Sequence, residues 1–195
     1  WPAADSNKYT RGHAVIAGGV EMTGAARLAA RGARRIGAGL ASIAAAPEAF
    51  AVYAADTPGT LVKPVANDAA FADFIADKRR NAILVGPGAG IEPATRNRAL
   101  AALKAGKVTV LDADALSVFA DDPEALFSAI TSPCVLTPHE GEFARIFNVT
   151  GDKLTRARKA AETAGAIVLL KGPDTVVAAP GGRAVIDASA PPELA

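Results

Sequence analysis

Short apolar runs alternate along the chain with longer stretches whose apolar positions recur every three or four residues. The runs Ala14 to Ala17, Leu40 to Ala44, Ala82 to Val85, Val108 to Leu111, Cys134 to Leu136 and Ile167 to Leu170 have the length and composition of buried strands. Helices are predicted between them. Gly24 to Ile36 places Ala25, Leu28, Ala29, Gly32 and Ile36 on one face, expected to lie against a sheet, and Arg27, Arg31, Arg34 and Arg35 on the other. Glu92 to Ala105 carries Pro93 in a tolerated first-turn position. Asp152 to Ala164 aligns Leu154, Ala157, Ala161 and Ala164, with Asp152 as a cap or first-turn acid. Near the end, Thr175 to Ala179 and Arg183 to Ile186 flank Pro180-Gly181-Gly182, which reads as an antiparallel hairpin at a sheet edge.

Strands alternating with helices predict an α/β domain with a mostly parallel central sheet, right-handed crossovers and helices on both faces. Ligands of such sheets bind beyond the carboxyl ends of the strands. The loop after each strand is therefore the place to look for chemistry.

Composition narrows the class. Half of the 195 residues are apolar, enough for one core and a single domain over residues 1–195. The 21 basic and 20 acidic side chains nearly cancel, so no global field draws the chain to nucleic acid or an anionic membrane. No apolar stretch approaches the roughly 20 residues of a bilayer span, and the start lacks the pattern of a secretion signal. Cys134, alone and inside an apolar run, reads as a buried, unreactive thiol and fits a reducing cytoplasm. The opening on Trp1 and the close on Pro191-Pro-Glu-Leu-Ala195 read as a segment of a longer polypeptide.

Five strand ends carry candidate chemistry. Gly18-Gly19 and Met22-Thr-Gly-Ala25 follow the first strand. Taken alone they are either an anion-facing turn or merely a sharp one, and they match neither Walker A nor the dinucleotide fingerprint. Gly86-Pro-Gly-Ala-Gly90 opens toward a helix, where exposed amides and the helix dipole can receive a phosphate or pyrophosphate. Asp112 and Asp114 can bind a ribose, organise metal-bound water or accept protons; the alternative is a helix cap and a solvent-facing acid. Thr137-Pro-His-Glu-Gly-Glu142 brings an imidazole and two carboxylates to a helix start, with His139 read as a substrate contact rather than a plain cap. Lys171-Gly-Pro-Asp-Thr175 places a cation where it can neutralise a nucleotide phosphate. Folding alone does not call for five such loops in a row.

In order, Asn7-Lys-Tyr-Thr-Arg-Gly-His13, Gly18-Gly19, Met22 to Ala25, Gly86 to Gly90, Asp112-Ala-Asp-Ala-Leu116, Thr137 to Glu142 and Leu170-Lys-Gly172 resemble the ADP- or ATP-dependent NAD(P)H-hydrate dehydratases. These are ribokinase-like enzymes. The resemblance implies repair of hydrated NADH or NADPH: a nucleotide, typically ADP in bacterial members, phosphorylates the added hydroxyl, and phosphate then leaves. It assigns Ala25, Gly86, Gly88, Gly90, Asp112 and His139 to the hydrated dinucleotide. Lys171, Gly172, Pro173, Asp174 and Thr175 would line the adenine nucleotide's phosphates, and Glu142 would help organise Mg2+. A homo-oligomer is implied, as is an upstream epimerase domain joined near Trp1-Pro2.

Two departures stand out. Asn7 replaces the family's usual histidine, and the Gly-Thr-Gly-Asp segment expected soon after Leu194-Ala195 is absent, so the carboxyl-terminal part of the domain is expected to be missing and no catalytic base is assigned. Without that part, one sheet face should carry uncovered apolar surface. The competing readings are a small-molecule kinase of the same fold, of the thiamine-precursor type, and a nucleotide-binding module without turnover.

Overall fold

The computed structural model describes residues 3–189; Trp1, Pro2 and the Pro191–Ala195 tail, which suggested a longer polypeptide, lie outside them. In chain order the elements are β1 (His13–Ala17), α1 (Thr23–Arg35), β2 (Leu40–Ala45), a 3-10 turn (Pro47–Ala49), α2 (Phe50–Ala54), β3 (Leu61–Pro64), α3 (Asp68–Ala76), β4 (Ala82–Val85), α4 (Pro93–Lys104) and β5 (Val108–Leu111). There follow α5 (Asp114–Ser117), α6 (Pro123–Ala129), β6 (Cys134–Leu136), α7 (Glu140–Ile146), α8 (Lys153–Ala164), β7 (Ile167–Leu170), β8 (Thr175–Ala178) and β9 (Ala184–Asp187). They form one nine-stranded sheet ordered β3-β2-β1-β4-β5-β6-β7-β8-β9. The first seven strands in chain order are parallel, and β8 and β9 add antiparallel at the edge, as the hairpin signal predicts. Strand order reverses between β1 and β4, so their outgoing loops diverge and leave a crevice there.

Local chemistry sets the helix ends. Asn67 and Asp122 cap α3 and α6 by accepting from Ala70 N and Ala125 N. Asp152 is the N-cap of α8, and Gly165 ends that helix in the left-handed conformation (φ 61°). β3 escaped the sequence reading because it is short, ends in Pro64 and is largely solvent-facing, so it carries no alternation to detect.

The two faces are unequally covered. The larger core joins the helices from α3 onward to one face, with Phe71, Leu103, Leu116, Phe119, Leu126 and Phe143 fully or almost fully buried. α1 and α2 close a smaller core on the opposite face around Ile16, Ala26, Ala30, Ile43 and Tyr53. Across that second face the register runs from Leu84 through Val110 and Val135 to Ile167, and Leu169, two residues further along the same face of β7, pairs on through Val177 to Val185. Among the described residues no helix packs over it there: Val185 is 68% exposed, and Ile167 and Val108 are also exposed. Helices on both faces therefore hold for the β1–β4 half, whereas the β5–β9 half is covered on one side. Cys134 is buried as expected, its thiol pushed up to about 12 by desolvation.

One helix face is corrected. On α1 it is Ala26 and Ala30 that are buried, while Leu28 is 67% exposed and Ile36 more so. Ala26 and Ala30 pack into the smaller core with Ala29 against it, and Arg27 and Arg31, partly exposed, converge on Asp56 after α2. The Arg27 hydrogen bond, seconded by Arg31, holds the Asp56 carboxyl down at about 2 against an ordinary 3.8. A carboxyl titration followed by NMR should find Asp56 there and should find it moved back toward 3.8 in Arg27→Ala. The sign follows from linkage: this pairing supports the fold fully above the ordinary value and is lost as pH falls through the lowered one.

Candidate active site

The crevice is built by backbone continuing past the strands in register. Asp112 N donates to Val85 O, Thr137 N to Leu111 O (3.0 Å), and Lys171 N to Pro138 O (2.9 Å). Three loops far apart in sequence are thereby laid side by side, and their side chains meet. Asp112 Oδ1 accepts from Lys171 Nζ (2.7 Å) and from Thr137 Oγ1 (2.8 Å). Lys171 Nζ also lies 3.9 Å from Glu142 Oε2.

His139 and Glu142 form a reciprocal cap on α7. The imidazole Nδ1 accepts from Gly141 N (2.9 Å) and Glu142 N (3.3 Å), while Glu142 Oε2 accepts from His139 N (2.8 Å). An accepting Nδ1 places the neutral ring's proton on Nε2, 3.3 Å from Glu142 Oε1. The structure makes His139 the cap of α7, with 55% of its side chain exposed. Glu142 is 6% exposed. His139→Ala should remove the cap and cost about 1 kcal/mol, measured by denaturant unfolding. His139→Asn retains a capping oxygen, so stability should recover there.

The glycine loops pack against one another. A Cβ on Gly86 would overlap Asp112 O, one on Gly88 would overlap Met22 O, and one on Gly19 would overlap Gly88 O. Gly86 and Gly88 also need positive φ (126° and 65°). The Met22–Ala25 turn, with Ala25 in the first turn of α1, thereby sits against the Gly86–Gly90 loop at the strand-order switch. Gly90 (φ 83°) faces open space, and its amide donates to Asp114 Oδ2 (2.9 Å), the first-turn acid of α5. Asp114 thus buttresses the loop, and Asp112 is the acid turned toward Lys171.

The Lys171–Thr175 turn divides. Lys171 joins Asp112, but Asp174 leaves the cluster to pair with Lys153 Nζ (3.0 Å), a side chain lying against Gly172. Thr175 Oγ1 turns back to Gly172 O (3.5 Å), and Pro173 is exposed. Of the five residues assigned to the nucleotide, Lys171 alone is tied directly to the acidic cluster.

Three participants went unnoticed in the sequence. Thr137, whose hydroxyl donates to Asp112 Oδ1, carries no signal in its motif that singles it out. Tyr53, fully buried, donates from its hydroxyl to Gly19 O (2.7 Å) and fixes the first glycine turn across α2. Ala113 takes φ 47°, ψ −117°, a conformation unusual for a residue with a side chain, between the two aspartates. An alanine gives no warning of that; the Tyr53 contact spans 34 residues and has no local signature.

Charge defines what the centre can receive. Asp112 and Glu142 outnumber Lys171 by one formal charge, so a cation bound beside them would balance the cluster. Among the described residues no three or more His, Cys, Asp or Glu side chains form a metal cluster. Mg2+ commonly uses one or two protein carboxylates and takes its remaining ligands from phosphates and water.

A parallel sheet with its acidic, cationic and glycine-rich loops at the strand-order switch defines a ribokinase-like α/β protein, and solved structures agree. A ribokinase-like superfamily protein from Enterococcus faecalis superposes with a TM-score of 0.82 at 22% identity, over 95% of this chain and 66% of its own. The ADP/ATP-dependent NAD(P)H-hydrate dehydratase of Bacillus subtilis, co-crystallised with ATP and Mg2+, gives 0.80 at 29% identity, over 98% of this chain and 69% of that one. Residues 13–195 match the family model described as NAD(P)H-hydrate dehydratase, and the chain belongs to that family. A bifunctional NAD(P)H-hydrate repair enzyme from Salinibacter ruber is 38% identical across 100% of this chain, and one from Mycobacterium tuberculosis 36% across 93%. The chain spans only 39% and 37% of those relatives' lengths.

Proposed function

We propose that this chain serves the nucleotide-dependent dehydration of hydrated NADH or NADPH, as the dehydratase part of a bifunctional repair protein whose epimerase domain lies upstream. The observation that carries the reading is the Asp112–Thr137–Lys171–Glu142–His139 cluster set beside the packed glycine loops. A dinucleotide lies along Ala25, Gly86, Gly88 and Gly90 with His139 Nε2 at its edge. The phosphates of ADP or ATP reach Lys171, which Asp112 and Glu142 hold in place.

The substrate hydroxyl oxygen attacks the terminal phosphorus of the nucleotide, and the bond to the leaving AMP or ADP breaks. The new phosphoester then departs as inorganic phosphate with the ring-carbon oxygen, and loss of a proton from the neighbouring carbon restores the reduced nicotinamide. Hydroxide leaves poorly and phosphate well, which is why a nucleotide is consumed. Lys171 offers positive charge to the transferring phosphoryl group, and the loop amides orient the dinucleotide. Asp112 and Glu142 would hold Mg2+ with the phosphates; when bound, the ion neutralises charge on the phosphoryl oxygens. Glu142, with both oxygens engaged by His139, contributes chiefly charge, and Asp112 is the carboxylate turned to the phosphates. A homo-oligomer in the cytoplasm fits the family; among the described residues no helix is long and apolar enough to cross a membrane.

The test is an assay of the full-length protein with hydrated NADH and either ADP or ATP, following phosphate release and return of reduced-nicotinamide absorbance. Nucleotide-dependent recovery supports the dehydratase and identifies the donor. A stable phosphoester product would point instead to a small-molecule kinase, and tight nucleotide binding without phosphate release to a binding module.

A further inference from the structure

The Asn7–His13 segment is part of the sequence pattern that resembles the family, yet it lies away from the crevice. His13 opens β1 and stands in register with Leu40, the first residue of β2, at the amino ends of the strands. Those two residues, together with Leu61 at the start of β3, line a cavity of about 280 Å3 completed by Lys8, Tyr9, Asp77, Arg79 and Arg80. The active-site crevice is at the other end of the same strands.

The cavity is assembled by specific contacts. Asn7 Oδ1 accepts from Tyr9 N (2.9 Å) and Thr10 N (3.2 Å), which folds the segment into a turn and sets Lys8 and Tyr9 at the rim. Asn81 Oδ1 accepts from His13 N (3.0 Å), fastening the segment to the chain entering β4. Below, His13 Nε2 lies 2.7 Å from the buried Ser42 Oγ. Burial, then the neighbouring Arg80, lowers the His13 pKa, so the ring meets a ligand as a neutral hydrogen-bonding group. Lys8, Arg79 and Arg80 surround the opening against a single carboxylate, Asp77, which Arg79 engages through its backbone amide and its guanidinium. Arg80 stacks on Phe74, donates to Phe74 O and lies 3.7 Å from Asp77 Oδ2, with its Nε buried and unpartnered. Leu40, Leu61 and the Tyr9 ring supply apolar surface.

We propose that this cavity is a second ligand site, for a small organic anion with one phosphate or carboxylate group on a planar or apolar body. The anion meets Lys8 and Arg80, the body lies between the Tyr9 ring and the two leucines, and the His13–Ser42 pair offers a hydrogen bond at the floor. A few placed polar groups over an apolar lining is the usual design of a small-molecule pocket. The excess of two positive charges sets the sign of the ligand.

The test is an NMR titration of the chain at constant ionic strength with phenyl phosphate, benzoate and inorganic phosphate. Saturable shifts are expected at Tyr9, Gly12, His13, Arg80 and Asn81, with the Gly86–Gly90 amides unmoved. The better of phenyl phosphate and benzoate shows which anionic group is preferred. Inorganic phosphate, lacking the body, should bind about tenfold more weakly, and Lys8→Gln should weaken the preferred ligand about tenfold by removing one charge-assisted contact. Lys8 and Tyr9 are exposed, so Lys8→Gln and Tyr9→Ser keep the fold, and unchanged thermal unfolding of the free variants verifies it. Shifts that fail to saturate, equal affinity for inorganic and phenyl phosphate, binding indifferent to both variants, or shifts centred on the Gly86–Gly90 and Thr137–Glu142 loops would each overturn the proposal.

Discussion

Gly86→Ala should destabilise the fold by several kcal/mol. The new methyl group would overlap Asp112 O, a backbone atom that cannot rotate aside, and Gly86 holds φ at 126°, where a side chain is strained. Overpacking typically costs about 1–3 kcal/mol and strained backbone about 1–3 more. Against a total stability of roughly 5–15 kcal/mol, a loss of about 4 is decisive. Gly90→Ala is the control: φ is also positive, at 83°, but nothing lies within 4 Å, so only the left-handed penalty of about 1–2 kcal/mol remains. Denaturant unfolding of the two variants side by side should show the difference. Similar losses would mean that the β4 and β5 loops do not pack as described.

Lys171→Met should leave a folded protein that handles nucleotide poorly. The substitution keeps most of the side-chain length but removes the cation between Asp112 and Glu142, leaving two carboxylates to face incoming phosphates. Losing one donor that stabilises transition-state charge costs about 10²–10³-fold in rate, so kcat/KM for hydrated NADH should fall by at least about 10²-fold. Nucleotide affinity, measured by calorimetry with ADP and Mg2+, should fall with it. If affinity is retained and stability alone drops, Lys171 is a structural tie between β5 and β7 and the phosphates lie elsewhere.

Most of the scaffold was readable in the sequence because the parallel strands are short continuous apolar runs set between turn residues and helical spacing. Ala82–Val85, Val108–Leu111, Cys134–Leu136 and Ile167–Leu170 have the predicted limits to the residue. Spacing failed where burial is partial or where more than one stripe is available. β3 is too exposed to show a period, and α1 has alanines on neighbouring stripes, of which it buries Ala26 and Ala30. At the site, the loops could be named but their partners could not. That Lys171 would meet Asp112, 59 positions earlier, or that Asp174 would leave for Lys153, depends on strand register, which no motif encodes. The glycines were legible as a loop; that Gly19, Gly86 and Gly88 are required by backbone pressing on backbone was not.

The apolar side chains that β5 to β9 present on the uncovered face, from Val110 to Val185, have a consequence for behaviour in solution. A chain with that much bare hydrocarbon on one flank should bind a fluorescent probe such as ANS while still folded, and its light scattering should climb with concentration. Aspartate or lysine at Val185, where the side chain already meets water, should quiet both signals without touching the crevice at the far side of the strands.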